Sequence, residues 1–352
     1  MQQAFREAIV KSYSQGYPFA VYAFPGSFDL TGLFQKGKES YEYSPDDRGF
    51  IFAPFSSEEK ILFLPLEHCE LHSATVDELP RDIAYKVITI DSHQKESHIA
   101  LVSRAIDQIH SYGLEKIVVS RKQEVSLIKF DLLVLFQALF SYHKSAFRYA
   151  WFHPKSGLWV GATPEVLLRI SNNKYSTMSL AGTRSAIEKE QNSWTPKEYH
   201  EQQVVTDAIA NDLEPFSETM RISEVYTSRA GNLEHLRSDI EGKLKPGSGW
   251  WDLATTLHPT PAVCGSPRDK ALDFILSEEG YNRVYYTGYF GPLAILEGQT
   301  DLFVNLRCMR IQDKTATIYT GGGITRDSLP DAEWEETCNK QQTMLKLLAQ
   351  FL

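Results

Sequence analysis

Short apolar runs separated by turn residues recur along the chain and predict a protein rich in β-strands. Near the N-terminus, FAVYAF, GFIFAPF and KILFLPL alternate with turn clusters such as SPDDRG. Beyond residue 115 similar runs follow one another closely: EKIVVSRKQEV, RYAWF, GLWVGA, EVLLRI, RVYYTGYFG, DLFVNLRCMRI and TATIYTGGGI. Because short turns join most of these runs, antiparallel pairing is favoured over a doubly wound parallel sheet.

Apolar residues at helical spacing predict several helices between these strands. They are an amphipathic helix at the N-terminus, ESHIALVSRAIDQIHSYG, FDLLVLFQALFSYH with Asp131 as N-cap, and DKALDFILSEEG. The pattern therefore predicts an α+β fold of large antiparallel sheets with helices outside. A chain of 352 residues allows two domains or one large sheet domain, and no linker or repeat divides it. Residues 1–110 are poor in motifs, and 111–352 carry most of them.

A further helix is predicted over residues 195–213, because Thr195 and Glu198 have capping-box spacing. Glu201 projects from the apolar face of this helix, three residues before Val204. A carboxylate on that face must be paired, protonated or bound to a metal, since burying it alone is costly. The alternative is a glutamate at the edge of the apolar stripe that reaches solvent.

The C-terminal helix repeats this arrangement, with Ser328 and Asp331 as a capping-box-like start. One face of the helix is charged toward its N-terminus and apolar toward its C-terminus. That face comprises Glu333, Glu336, Lys340, Met344, Leu347 and Phe351. Its charged half either lines a polar cavity or carries a Glu336–Lys340 surface ion pair, which would contribute about 0.3–0.5 kcal/mol.

Charge, hydropathy and cysteine spacing argue against several classes of protein. The net charge of −9 gives no support for nucleic-acid binding, and it means that any site for an anion must be local. No apolar run approaches the roughly 20 residues that span a bilayer, and the N-terminus lacks the apolar region of a signal peptide. The four cysteines are far apart, so we expect buried free thiols in a reducing cytoplasm.

A set of motifs occurs in a fixed order between residues 115 and 345. The set comprises KIVVSR, GATPEVLL, LAGTR, EHLRSDIEG, the proline-rich loop LHPTPAVCGSPR, YTGYFG, NLR, GGGI and EWEETCNK. In this order it resembles the chorismate-utilising enzymes, and the form of the proline-rich loop is similar to that of the isochorismate synthase branch. The resemblance implies a single chorismate-binding domain over residues 1–352, with two sheets stacked over a central site.

An acid–base pair is implied by this resemblance. By itself, Lys116 in a predicted strand could face solvent or be buried with a lowered pKa, and Glu165 could be an ordinary turn acid. In the family, these positions supply the base that activates water for addition at C2 of chorismate and the acid that protonates the departing C4 hydroxyl. Lysine rather than glutamine at the base position favours water over ammonia as nucleophile.

The resemblance also implies a Mg²⁺ site and a substrate pocket. The metal carboxylates carry over to Glu201 and Glu336, with Glu333 nearby and binding through water, and Mg²⁺ prefers such oxygen ligands. The implied substrate-binding residues are Thr183, His235, Tyr286, Arg307, Gly321, Gly323 and Lys340. Arg307 lies within the predicted strand DLFVNLRCMRI, and its planar guanidinium suits bidentate binding of a carboxylate.

Within the family, isochorismate synthase fits best, and we expect the reversible conversion of chorismate to isochorismate without a glutaminase subunit. Alanine at position 181 argues against aminodeoxychorismate synthases, and the proline-rich loop argues against anthranilate synthase component I. Salicylate synthases, which also eliminate pyruvate, share the lysine and stay an alternative, as does a non-catalytic chorismate-binding homologue. We expect a monomer or weak homodimer whose product serves menaquinone or siderophore biosynthesis.

Overall fold

The computed structural model describes residues 1–77, 92–185, 193–230, 233–295 and 298–352 of the chain. The α-helices are α1 (Gln3–Gln15), α2 (Ser92–Tyr112), α3 (Leu132–Tyr142), α4 (Pro196–Leu213), α5 (Trp250–Leu257), α6 (Arg268–Glu278) and α7 (Pro330–Leu348). Short 3-10 helices cover Leu66–His68, Glu214–Phe216 and Ala349–Phe351.

The strands fall in two groups along the chain. The first group is β1 (Phe19–Ala23), β2 (Asp29–Gln35), β3 (Gly49–Ala53), β4 (Leu62–Pro65), β5 (Cys69–Thr75), β6 (Lys116–Ser126), β7 (Phe147–His153), β8 (Gly157–Thr163), β9 (Val166–Ser171) and β10 (Lys174–Ser185). The second group is β11 (Ser217–Ile222), β12 (Tyr226–Ala230), β13 (Leu233–Leu244), β14 (Gly265–Ser266), β15 (Tyr289–Leu293), β16 (Thr300–Val304), β17 (Cys308–Gln312) and β18 (Thr315–Ile324).

Two large antiparallel sheets form the frame, which confirms the predicted α+β class. Sheet A has the order β14-β6-β18-β17-β8-β7-β1-β2-β5. Sheet B has the order β11-β13-β10-β9-β16-β15-β3-β4, and β12 also pairs with β13. The strands before residue 110 belong to both sheets, since β1, β2 and β5 lie in sheet A while β3 and β4 lie in sheet B.

An aromatic layer fills the space between the two sheets. Phe52 of β3 stacks on Trp151 of β7 with ring centroids 5.0 Å apart. Phe147 of β7 stacks on Phe303 of β16 with ring centroids 3.8 Å apart. In both pairs one ring comes from each sheet, and buried aromatic pairs stabilise a core beyond the area that they bury. The layer therefore holds the sheets face to face.

Helices cover the outer faces of both sheets. Strand β1 is apolar on both faces. Phe19 and Val21 pack in the cluster that α1 and α3 cover, whereas Ala20 and Tyr22 point into the aromatic layer. Helices α4 and α5 pack in the same way on sheet B, and α2 and α6 pack on β6. None of the described helices is long and apolar enough to cross a membrane.

Two of the predicted helix starts are confirmed and one is wrong. Asp131 caps α3, because its Oδ1 accepts from the backbone N–H of Leu133 at 2.9 Å. At α4 the backbone N–H of Thr195 donates to the Glu198 carboxylate at 2.7 Å, as expected for a capping box. The predicted capping box at α7 does not form: Ser328 lies before the N-cap, and its hydroxyl donates to the Glu333 carboxylate at 2.6 Å instead.

Two predicted strands are interrupted beside the site. The run DLFVNLRCMRI is not one strand: β16 ends at Val304 in sheet B and β17 begins at Cys308 in sheet A, with Arg307 at φ 46° between them. The run RVYYTGYFG is strand only from Tyr289, because Val284 and Thr287 adopt positive φ. A residue in the left-handed region breaks strand geometry, and the hydrophobic pattern does not reveal it.

Candidate active site

One cavity, lined by residues of both sheets and of α4 and α7, collects the predicted site residues. Those lining it are Lys116, Glu165, Glu201, His235, Tyr286, Arg307, Gly321, Gly323, Glu333, Glu336 and Lys340. The side chain of Thr183, the remaining predicted substrate-binding residue, lies outside the described residues. Ala262 and Val263 of the proline-rich loop also line the cavity, so that loop forms part of its wall.

Lys116 is the first residue of β6 and does not face solvent, since only 2% of its surface is exposed. Its Nζ lies 2.7 Å from Oε1 of Glu201 on α4. The neighbouring strand β18 allows this position because it carries glycine: a Cβ at Gly323 would lie 2.6 Å from Cε of Lys116. The glycine triplet therefore makes room for the lysine side chain in the cavity.

Glu165 lies in the turn between β8 of sheet A and β9 of sheet B and is 6% exposed. Burial raises its pKa to about 7, although the positive charges of Lys116, Lys340 and Arg307 oppose this shift. A carboxyl group with such a pKa retains its proton on a substantial fraction of molecules near neutral pH. Glu165 is therefore able to act as a proton donor to a group in the cavity.

Three carboxylates converge over the glycine triplet. A Cβ added at Gly322 would lie 3.3 Å from Oε2 of Glu333 and 3.7 Å from Oε1 of Glu336. A Cβ added at Gly323 would lie 2.8 Å from Oε1 of Glu201. Burial, followed by the Glu336 charge, raises the pKa of Glu333 to about 7. Clustered carboxylate oxygens that repel one another are the donors that a hard divalent cation takes.

Each of these carboxylates has an ammonium partner in the cavity. Besides the Lys116–Glu201 pair, Nζ of Lys340 lies 2.6 Å from Oε1 of Glu336, and Nζ of Lys197 lies 3.5 Å from Oε1 of Glu333. The predicted Glu336–Lys340 pair thus exists, but it lines the cavity and is not a surface pair. Within the described ranges no three His, Cys, Asp or Glu side chains form a ready-made metal cage.

The donor set nevertheless fits a cation that needs few protein ligands. All candidate donors are carboxylate oxygens, and Mg²⁺ usually binds through one or two carboxylates while keeping several waters.

Lys197 was missed by the sequence analysis. Its signal was available, because it lies four residues before Glu201 and so on the same side of α4.

Tyr286, Arg307 and Lys340 supply hydrogen-bond donors in the same cavity. Burial raises the pKa of Tyr286, which keeps its hydroxyl protonated. A Cβ at Gly321 would lie 3.1 Å from the Tyr286 hydroxyl oxygen, so glycine leaves that group accessible. Lys340 also donates to the Gly321 carbonyl at 2.9 Å. Two cations and a phenol hydroxyl therefore face the cavity, and such donors suit an anionic ligand.

His235 is a neutral member of the cavity wall. Burial, followed by the charges of Arg307 and Lys340, lowers its pKa to about 3. Its Nδ1 lies 2.9 Å from the Gly182 carbonyl oxygen, which can only accept, so Nδ1 carries the proton. Gly182 at φ 70° belongs to the LAGT motif, and the hydrogen bond joins that motif to β13.

Comparison with known proteins agrees with this geometry. The family model described as "Chorismate binding enzyme" matches residues 59–349. The chain is 33% identical over 259 residues to the salicylate biosynthesis isochorismate synthase of Pseudomonas aeruginosa, covering 71% of this chain and 54% of the relative. It is 34% identical over 199 residues to isochorismate synthase DhbC of Bacillus subtilis, covering 54% of this chain and 50% of the relative. The chain thus matches only about half the length of these relatives.

A solved structure extends the similarity over nearly the whole chain. The Bacillus anthracis protein named as the 2,3-dihydroxybenzoate-specific isochorismate synthase DhbC aligns with a TM-score of 0.80 and 25% identity. The alignment covers 97% of this chain and 99% of that chain. Because the family model spans most of the sequence, including all the cavity motifs from β6 to α7, the chain belongs to the family of chorismate binding enzymes.

Proposed function

We propose that this protein is an isochorismate synthase, which adds water at C2 of chorismate and expels the C4 hydroxyl. The observation that carries the proposal is that Lys116 and Glu165 line the same cavity. One is a buried lysine, and the other is a buried carboxyl group with a pKa of about 7. Addition of water with loss of hydroxide needs one group that takes a proton and one that gives a proton.

Each group has a distinct step in this scheme. As the base, Lys116 must act as the free amine and not as the ammonium that contacts Glu201 in this structure; the amine takes a proton from water as the oxygen bonds to C2. Glu165 donates its proton to the C4 oxygen, which leaves as water while both ring double bonds shift. The lining residues Leu180, Val118 and Leu306 are apolar and limit the access of other water to the ring. Substrate and product are isomers with the same functional groups, so their free energies are similar. The reaction is therefore expected to be reversible.

The two carboxylates of chorismate require separate partners. We assign one to Arg307 and the Tyr286 hydroxyl, which are a planar cation and a protonated donor in the same wall. The other falls on the side of Glu201, Glu333 and Glu336, and these residues would hold Mg²⁺. The cation would offset the repulsion between those glutamates and the substrate. Lys340 lies on the side of the glutamates, since it pairs with Glu336 and donates to the Gly321 carbonyl.

The relatives and the chain organisation support this assignment. Proteins named isochorismate synthase are among the matched relatives and solved structures. We infer a single chorismate-binding domain over residues 1–352, since strands from before residue 110 belong to both sheets. We also infer a cytoplasmic enzyme, because Cys69, Cys264 and Cys308 are buried free thiols.

The first prediction concerns the product. Incubation of the purified protein with chorismate and Mg²⁺, followed by chromatographic separation, is expected to give a mixture of chorismate and isochorismate. The same mixture is expected from isochorismate as the starting material, without ammonia or a glutaminase. Steady formation of salicylate without a coupling enzyme would instead identify a salicylate synthase, and ammonia-dependent anthranilate would identify an anthranilate synthase.

The second prediction concerns the metal. Chelation is expected to abolish turnover and added Mg²⁺ to restore it, because the clustered glutamates would otherwise repel the substrate. Glu336→Gln should weaken Mg²⁺ binding measured by calorimetry, whereas Glu335→Gln on the exposed side of α7 is the matched control. Full activity after exhaustive chelation would contradict the proposed metal.

The third prediction concerns the acid–base pair. Glu165→Gln should lower kcat by roughly 10²–10⁴-fold, as loss of a general acid does, and Lys116→Ala should abolish water addition. Since the acid must be protonated, the wild-type kcat/KM should fall as the pH rises above about 7. Lys122→Ala, on an exposed lysine of the same strand, is the control. A near wild-type rate in either variant would refute the role given to that residue.

The fourth prediction concerns affinity. Arg307→Lys keeps the charge but loses the bidentate geometry, so the Kd for chorismate should rise by about tenfold, measured by calorimetry. Arg310→Lys, three residues further along the chain and outside the cavity lining, should leave the Kd unchanged. Equal affinities in all three proteins would place Arg307 away from the substrate.

A further inference from the structure

A buried ion pair lies directly behind the cavity wall without lining the cavity itself. Arg283 and Glu279 have side chains that are 1% and 0% exposed. Nε of Arg283 donates to Oε2 of Glu279 at 2.8 Å, and Nη2 contacts the other carboxylate oxygen. Neither residue is among those that touch the cavity, so the chemistry proposed above does not use them.

Arg283 is hydrogen-bonded to three separate parts of the cavity wall. Its Nη1 donates to the Val263 carbonyl at 2.9 Å and to the Thr287 hydroxyl at 3.2 Å. Its Nη2 donates to the Val118 carbonyl at 2.7 Å. Val118 is two residues from Lys116 on β6, Val263 belongs to the proline-rich loop, and Thr287 follows Tyr286. The Arg283 guanidinium therefore joins the segment that carries Lys116, the proline-rich loop and the segment that carries Tyr286.

Glu279 fixes β6 from the other side of the ion pair. Its Oε1 accepts from the Ser120 backbone N–H at 2.7 Å, and its Oε2 accepts from the Ser120 hydroxyl at 2.9 Å. Together with the bond from Arg283 to Val118, this gives β6 two attachments within three residues. Lys116 lies at the start of that strand, two residues before Val118 and four before Ser120, so these contacts add to the pairing of β6 with β14 and β18 near the base.

The segment held by Arg283 has an unfavourable backbone conformation. Val284 and Thr287 have φ values of 56° and 60°, and both are β-branched residues, which rarely adopt the left-handed region. Asn305 also restrains this segment, because its Nδ2 donates to the Tyr285 carbonyl at 2.8 Å and its carbonyl accepts from Thr287 N at 2.9 Å. Strained residues persist at functional sites only where the surrounding structure fixes them.

We propose that Arg283, held by Glu279, is a positioning residue that sets the distances among Lys116, Tyr286 and the proline-rich loop. The expected effect on kcat rests on the proposed function. The hydrogen bonds that Arg283 makes to the cavity wall do not depend on the substrate. A buried arginine with multiple backbone acceptors cannot be replaced by lysine without losing the fork of donors. A shift of about 1 Å in a catalytic group can lower a rate by about 10²-fold.

The test compares Arg283→Lys with Arg148→Lys. Arg148 is a matched control because it is 0% exposed, donates to the backbone carbonyls of Phe24, Ser27 and Phe140, and lies outside the cavity lining. Both variants should melt below the wild type. At a temperature where both are folded, Arg283→Lys should lower kcat by about 10–100-fold with KM changed less than about threefold, whereas Arg148→Lys should retain the wild-type kcat.

Hydrogen–deuterium exchange supplies a readout that needs no activity. Amides in residues 258–265 and 283–288 should exchange about tenfold faster in Arg283→Lys than in the wild type or in Arg148→Lys. If the wild type forms no isochorismate, the proposed function fails, and the exchange measurement alone decides the positioning role. Wild-type exchange in both segments would overturn the proposal, as would an unchanged kcat or an equal fall of kcat in Arg148→Lys.

A milder variant covers the case in which Arg283→Lys does not fold. Ser120→Ala removes one hydroxyl that bonds both Glu279 and Tyr281 and leaves the ion pair in place, so it is expected to fold. It should lower kcat by about threefold and raise exchange in the same two segments. Wild-type values for both quantities in Ser120→Ala would then overturn the proposal.

Discussion

Three carboxylates in the cavity are each paired with a lysine, because a buried charge without a partner carries a large desolvation penalty. Glu201, Glu333 and Glu336 each contact a different lysine, and these contacts join α4, α7 and β6 around one space. The pairs Lys116–Glu201 and Lys197–Glu333 add charged links to the hydrophobic packing that holds α4 on sheet B. The same ion pairs supply the cavity with cations and anions that an incoming ligand can bind.

Charge balance limits which ligand can enter such a cavity. A dianion alone would meet three carboxylates, and a divalent cation alone would meet three ammonium groups. Entry of both would preserve the overall charge: the glutamates would hold the cation, and Arg307 and Lys340 would bind substrate oxygens. With the proposed substrate and metal, such local pairing would allow a protein with a net charge of −9 to bind an anion.

The frame around the cavity is held rigid by uncharged contacts. Stacked rings such as Phe52 and Trp151 fix the spacing of the two sheets, and Gly321 and Gly323 let side chains approach the strand backbone. The Arg283–Glu279 pair then joins the proline-rich loop to β6 by hydrogen bonds. Packing sets the size of the space, and hydrogen bonds to backbone carbonyls set the positions of its walls.

The sequence by itself determined the type of fold, most helix positions and the residues that face the cavity. Strand runs, the capping residues Asp131 and Thr195, and the ordered motifs are local signals, because each depends on spacing within a few residues. What only the tertiary structure decided were contacts and conformations set by distant residues. These include the break at Arg307, the lost cap at Ser328, the buried environment that raises the pKa of Glu165, and the bonds of Arg283 to Val118 and Val263. Desolvation and long-range hydrogen bonds depend on which distant segments of the chain come into contact. The hydrophobic periodicity of the sequence does not predict those contacts.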